Sequence, residues 1–164
     1  MKDLDFFTWR RDCSLRFQEL TCAAEVYQEL ERQTQALEFD YYALCVRHPV
    51  PFTRPKISLQ TTYPKLWMAQ YQSANYFAID PVLKPENFIQ GHLPWTDALF
   101  AEAQELWHSA QDHGLRSGIT QCLMLPNHAL GFLSVSRTRV QEGPLAHEEI
   151  ELRLQMLVQM ALTS

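Results

Sequence analysis

Tyr63, Trp67 and Tyr71 lie four residues apart, so a helix through this stretch carries three amphipathic aromatics along one edge. Asp80 follows in an apolar run of Phe77, Ala78, Ile79, Val82 and Leu83, and Pro81 directly after it biases its backbone toward an extended form. Tyr O–H and Trp N–H groups donate hydrogen bonds, whereas an ionised carboxylate only accepts them. Gathered in an apolar wall, these groups suit a ligand with carbonyl oxygens and one N–H. Taken singly each is ordinary, since aromatic stripes at helical spacing are usually core and an Asp at such a place caps a turn. The conjunction of stripe and carboxylate is what points to a site.

The elements that must position these groups are legible from pattern. Pro64 suits a first helical position, where its missing N–H costs no hydrogen bond, and predicts a helix over Pro64–Asn75. Tyr41–Arg47 reads as a strand with Tyr41, Ala43 and Cys45 on one face and Tyr42, Leu44 and Val46 on the other, and Lys56–Thr62 as a second strand. Between them, three prolines in eight residues (48–55) predict a loop, whose basic residues Arg47, Arg54 and Lys56 could face an anion, a solvated loop being the commoner explanation. After Asp80 a proline-rich loop runs to Trp95 with at most a short strand near Gly91. Thr96 or Asp97 is expected to cap a helix to His113, with Leu99, Phe100, Ala103, Leu106, Trp107 and Ala110 inward and Gly114 as its left-handed end. Ile119–Leu125 and Leu130–Ser136, joined by a turn at Pro126 to Ala129, predict a hairpin; Ser134 shares a face with Phe132 there and can point toward the aromatic helix. Amphipathic helices are expected over Leu4–Leu20, over Ala23–Leu37 with Thr21 as cap, and over Leu145–Ala161. The last places Ile150, Leu154, Leu157 and Ala161 on a stripe that Leu152, Met156 and Met160 widen. This order favours an antiparallel sheet with helices on its faces.

Composition narrows the function. At 164 residues the chain has the length of one domain with a core and a cavity, and its net charge of −5 argues against a phosphate-binding surface. MKDLDFFTWRRD lacks a signal-peptide apolar run, no span reaches transmembrane length, and a cytoplasmic protein without membrane attachment is expected. Cys13, Cys22, Cys45 and Cys122 form no C-x-x-C pair and read as small reduced core residues. The six histidines show no zinc-binding spacing, no nucleophile elbow or phosphate-binding glycine loop occurs, and Asp80 with Glu86 makes a weak acid–base pair across a loop. Catalysis, a metal and a cofactor are not expected.

The residues also carry a resemblance. Trp67, Tyr71 four residues later, the Asp80-Pro81 pair and Trp95, with the segments DYYALCVRHPVPFTRPK, NYFAIDPVL and LMLPNHALGFLSVSR, resemble the ligand-binding domain of LuxR-type quorum-sensing regulators across nearly the whole chain. The resemblance implies an α+β fold, an α–β–α sandwich around a five-stranded antiparallel sheet with a PAS- and GAF-like layout. It implies residues 1–164 as an autoinducer-binding domain for N-acyl homoserine lactones, a homodimer, and DNA binding only through a C-terminal helix-turn-helix domain that this sequence does not contain. By the same implication Trp67 donates to the lactone carbonyl, Asp80 accepts from the ligand amide, Tyr63 and Ser134 hold the acyl carbonyl, and Tyr71 and Trp95 wall the headgroup. Close relatives carry serine where this chain has Ala43, which predicts weaker headgroup selectivity. Leu59, Phe77, Val82, Phe100 and Leu115 are the candidates for the tail channel. Two other readings fit the residues: a PAS- or GAF-like sensor of another acyl amphiphile such as a monoacylglycerol, and a dimerisation module whose aromatic cluster is plain core.

Overall fold

The computed structural model describes residues 5–48, 56–88, 91–126, 128–139 and 147–163. Their elements are α1 (Phe6–Gln18), α2 (Ala23–Ala36), β1 (Tyr41–His48), β2 (Lys56–Thr61), α3 (Lys65–Ser73), β3 (His92–Pro94), α4 (Gln104–Asp112), β4 (Ser117–Met124), β5 (Leu130–Arg137) and α5 (His147–Leu162), with three short 3-10 turns between α3 and β3. The strands form one sheet in the order β2-β1-β5-β4-β3, antiparallel throughout. The α–β–α sandwich is as expected.

Strand alternation divides two cores. Tyr42 and Leu44 of β1, Ile119 of β4 and Leu133 and Val135 of β5 face α1, α2 and α5, meeting Trp9, Phe17, Leu30, Leu154, Leu157 and Val158. The residues between them, Ala43, Cys45, Thr120, Phe132, Ser134 and Ser136, face the other way, toward α3, the 3-10 turns and α4. That second layer carries its own cluster of Trp67, Tyr71, Tyr76, Phe100, Trp107 and Leu115. The stripe expected on α5 is fully buried at Ile150, Leu154, Leu157 and Ala161, while Leu152 is exposed. Arg153 is buried there too, paired with Glu149 and lying over the Trp9 ring.

Several boundaries differ from the sequence expectation. Thr21 does not cap α2: Glu25 reaches back to accept from the Thr21 N–H at 2.7 Å and its hydroxyl at 3.1 Å, and extended Cys22 is the cap residue. Cys22 is accordingly exposed, unlike buried Cys13 and Cys45, and all four cysteines are free. Pro64 is the cap of α3 and not its first helical residue, because its ψ of 139° is still extended. The helix expected from Thr96 to His113 is split, since Ala103 at φ −139° interrupts it and only Gln104–Asp112 is α-helical. Thr96 caps the preceding turn through the Leu99 N–H, and Asp97 accepts from the Trp107 indole at 2.7 Å. Gly114, at φ +94°, ends α4 as expected. The expected loop at 49–55, Arg54, Asn127 of the hairpin turn and Leu145 lie outside the described residues.

Candidate ligand site on the aromatic face of the sheet

Asp80 is held by its own neighbours. With φ −68° and ψ 115° it caps the turn Pro81–Leu83, Oδ1 accepting from the Val82 N–H at 3.0 Å while Oδ2 accepts from the Tyr71 hydroxyl. The turn-capping role and the site role are therefore the same geometry. Only 7 % of Asp80 is exposed, and burial pushes its carboxyl up to about 6 against the opposing pull of the Tyr71 and Val82 hydrogen bonds and Lys84. Burial, followed by the Asp80 charge, raises Cys45 to about 12 and moves Tyr63 and Tyr71 upward as well. The two phenols remain O–H donors at neutral pH.

Trp67 forms the cage wall. It is 2 % exposed, edge-on to Tyr71 at 5.7 Å, and tilted against Tyr76 at 5.8 Å and His113 at 5.3 Å. The other three tryptophans donate to protein acceptors: Trp9 to Gln33, Trp95 to Thr120 and Trp107 to Asp97. No described residue accepts from the Trp67 indole N–H. An open donor on a side chain only 2 % exposed, in one cluster with the residue that holds the Asp80 carboxylate, is a place for a polar ligand.

A chain of hydroxyls crosses the sheet at the same place. Trp95 Nε1 donates to Thr120 Oγ1 at 2.9 Å, and Thr120 Oγ1 lies 2.7 Å from Ser134 Oγ. Ser134 is the neighbour of both Ala43 and Thr120 in the strand register. Thr120 Oγ1 accepts the indole proton and shares a further hydrogen bond with Ser134, so Trp95 fixes the place of the Ser134 hydroxyl through this fully buried threonine. The Tyr63 phenol lies against the Ser134 and Ser136 hydroxyls. Trp95 reaches this position because Gly118 has no side chain: a Cβ there would stand 2.6 Å from Trp95 Cε3.

Most of the expected residues gather here. Tyr63, Trp67, Tyr71, Trp95, Phe77, Val82, Phe100 and Leu115 belong to one apolar cluster, with Phe77 edge-on to Tyr71 at 4.7 Å and Phe100 stacked on Trp107 at 4.3 Å. Asp80, Ser134 and Ala43 border it from the turn and the sheet. Leu59, on the edge strand β2, pairs with Cys45 and so shares the face of the sheet turned toward the cluster. It also borders a cavity of about 450 Å³ at that edge, with Leu20, Val26, Tyr27 and Leu44. That cavity holds no buried carboxylate, so the chemistry lies on the Asp80 side. Sequence reasoning missed Thr120, Ser136, Tyr76 and His113. The alternation of Thr120 and Ser134 on facing hairpin strands was the one available signal for the first; nothing local marks His113.

Comparison with known proteins bears on this arrangement. The family described as the autoinducer binding domain matches residues 23–164. The chain is 60 % identical to the regulatory protein SdiA of Escherichia coli over 99 % of its length and 68 % of that protein, and 37 % identical to the quorum-sensing regulator RhlR of Pseudomonas aeruginosa over 96 % of its length and 66 % of that protein. It thus spans about two thirds of these relatives. A solved structure of SdiA in complex with octanoyl-rac-glycerol superposes with a TM-score of 0.94 over 99 % of this chain and 67 % of that one. A GAF domain from a Geobacter sulfurreducens GAF/HD protein, 19 % identical, shares the fold alone at a TM-score of 0.53, over 90 % of this chain and 94 % of that one. With the family matched over most of its length and the aromatic cage in place, this chain belongs to the autoinducer-binding domains, the ligand-sensing part of LuxR-type quorum-sensing regulators.

Proposed function

We propose that this domain holds an N-acyl homoserine lactone between α3, the Asp80 turn and the β1-β5-β4 face of the sheet. The observation that carries the reading is the unmatched Trp67 indole N–H within an apolar cage that also holds the Asp80 carboxylate. Trp67 donates to the lactone carbonyl, Asp80 accepts from the amide N–H, and Tyr63 and Ser134 donate to the acyl carbonyl. Tyr71 orients Asp80 through its hydroxyl, and Trp95 orients Ser134 through Thr120. Phe77, Val82, Phe100 and Leu115 supply apolar wall, and Ala43 offers no hydroxyl where close relatives have one.

Burying an acyl methylene contributes about 0.8 kcal/mol, so six beyond the carbonyl contribute roughly 5 kcal/mol before ordering costs. A hydrogen bond to the charged carboxylate contributes about 1.5–3 kcal/mol, and leaving that carboxylate unpaired is penalised on a similar scale. Tail length therefore governs affinity and Asp80 governs the headgroup. Ligand binding stabilises the folded domain by mass action, by about 2.7 kcal/mol at a hundredfold excess over Kd. In a whole regulator, ligand then becomes folded protein competent to dimerise in the cytoplasm and to bind DNA through a separate helix-turn-helix domain.

A monoacylglycerol is the second reading, favoured by the 60 % identical SdiA structure solved with octanoyl-rac-glycerol. Its ester carbonyl suits Tyr63 and Ser134, and a glycerol hydroxyl suits Asp80. The test is the melting temperature of the purified chain with octanoyl homoserine lactone, monooctanoylglycerol, octanoic acid or no addition. A rise with the lactone alone supports the amide contact at Asp80, equal rises with lactone and glyceride support an acyl-chain sensor, and no rise with any of them refutes both.

A further inference from the structure

Ser136 is fully buried, and its hydroxyl has no hydrogen-bond partner. Unpartnered buried hydroxyls are uncommon and costly, so such a group beside a ligand cage points to a missing partner. Its place in the sheet is well defined: on β5 it lies opposite Tyr41 of β1 and Gly118 of β4, two residues beyond Ser134. The two serines therefore face the same side, about 7 Å apart along the strand. Ser134 is engaged by Thr120, and the Trp95 ring that covers Gly118 has given its N–H to Thr120, so neither supplies the missing partner. Tyr63, whose phenol packs edge-on to Tyr41 at 6.2 Å, is a polar neighbour of Ser136 within the cage.

We propose that Ser136 is a further ligand contact at the headgroup end of the cage, and that it favours acyl ligands with a hydroxyl-bearing headgroup over the lactone. The inference rests on the site reading above. It follows from counting donors and acceptors. An acyl homoserine lactone has one N–H, which Asp80 accepts, and two carbonyls, which Trp67 and the Tyr63–Ser134 pair serve; Ser136 gains nothing. A monoacylglycerol has one ester carbonyl for Tyr63 and Ser134 and two hydroxyls. One hydroxyl donates to Asp80, and the second accepts from Trp67. The second hydroxyl's own proton then needs another acceptor, and the Ser136 oxygen, buried and unpartnered among the described residues, supplies it. Ser136 in turn donates to the Tyr63 oxygen, leaving the Tyr63 proton for the ligand carbonyl.

Isothermal titration of 1-octanoylglycerol and octanoyl homoserine lactone into the parent chain, Ser136→Ala and Ser136→Cys decides it. Ser136→Ala removes the unmatched hydroxyl, Ser136→Cys replaces it with a larger and much weaker hydrogen-bonding thiol, and their melting temperatures without ligand serve as the folding control. The expected result is glyceride binding weakened about three- to tenfold in both variants, with lactone binding within twofold of the parent. Ser134→Ala, by contrast, weakens both ligands. Unchanged glyceride affinity in the two Ser136 variants, or an equal loss for both ligands, overturns the proposal while leaving the site reading intact. Failure of both ligands to bind the parent chain overturns the site reading and this proposal with it.

Discussion

Replacing Asp80 by Asn should stabilise the empty domain at neutral pH, and the gain should disappear in acid. The carboxyl is fully enclosed and its ionisation in the folded protein is pushed from 3.8 to about 6. A shift of that size corresponds to roughly 3 kcal/mol by which the charged form disfavours folding. The sign follows from proton counts: between pH 4 and 6 the folded chain binds more protons at this site than the unfolded chain, so stability falls as pH rises through that window and is level above it. Asn loses the charge and keeps both local contacts, its Oδ1 accepting from Val82 and its amide donating to Tyr71 oxygen. The assay is urea or thermal unfolding of parent and variant without ligand from pH 4 to pH 7.5. The parent, measured against the variant, should lose about 2.5 kcal/mol between pH 4 and pH 7, or roughly 5–10 °C in Tm for a domain of this size. Saturating lactone should reverse the order at pH 7, because its N–H meets a charged acceptor only in the parent. Parallel pH profiles for the two proteins would refute the claim that burial of the charged Asp80 outweighs its hydrogen bonds from Tyr71 and Val82 in the ligand-free domain.

Trp67→Phe removes the open N–H and part of the ring packed against Tyr71, Tyr76 and His113, so affinity for octanoyl homoserine lactone should fall at least about three- to tenfold by calorimetry and the Tm of the ligand-free domain should drop as well, from the cavity left behind. Gly118→Ala puts a Cβ 2.6 Å from Trp95 Cε3 and 2.7 Å from the Val135 carbonyl oxygen. It should cost about 1–3 kcal/mol and displace Trp95, read as a lower Tm and a changed near-ultraviolet circular dichroism band; an unchanged band would show that Gly118 is not what seats Trp95.

Periodicity exposed the parts of the fold that depend on local pattern. The β1 faces, the β4–β5 hairpin, the buried stripe of α5 and the left-handed Gly114 follow from alternation, helical spacing and backbone preference. Errors fell where a second side chain competes for the capping group. Thr21 has the chemistry of a cap, but Glu25 claims it; Thr96 and Asp97 both look like helix starts, but Asp97 is drawn to the Trp107 indole and the helix begins at Gln104. Leu59 lies across from Cys45 on the edge strand and shares its face of the sheet, a placement set by strand register and not by residue type.

The same division holds at the site. Tyr63, Trp67, Tyr71 and Asp80 lie within 18 residues (63–80), where helical spacing and the Asp-Pro step already bring the donors and the acceptor together. Sequence by itself determined the chemistry of that cluster. Which of its groups is still open was decided by the tertiary structure: one tryptophan of four left without an acceptor among the described residues, Ser134 tied to Trp95 through Thr120, and Ser136 left unmatched near Tyr63. A residue's hydrogen-bonding capacity is a property of its type, but whether that capacity is already used depends on neighbours brought in from 14 to 39 residues away (Ser134 with Thr120, Trp95 with Ser134), and only folding sets that inventory.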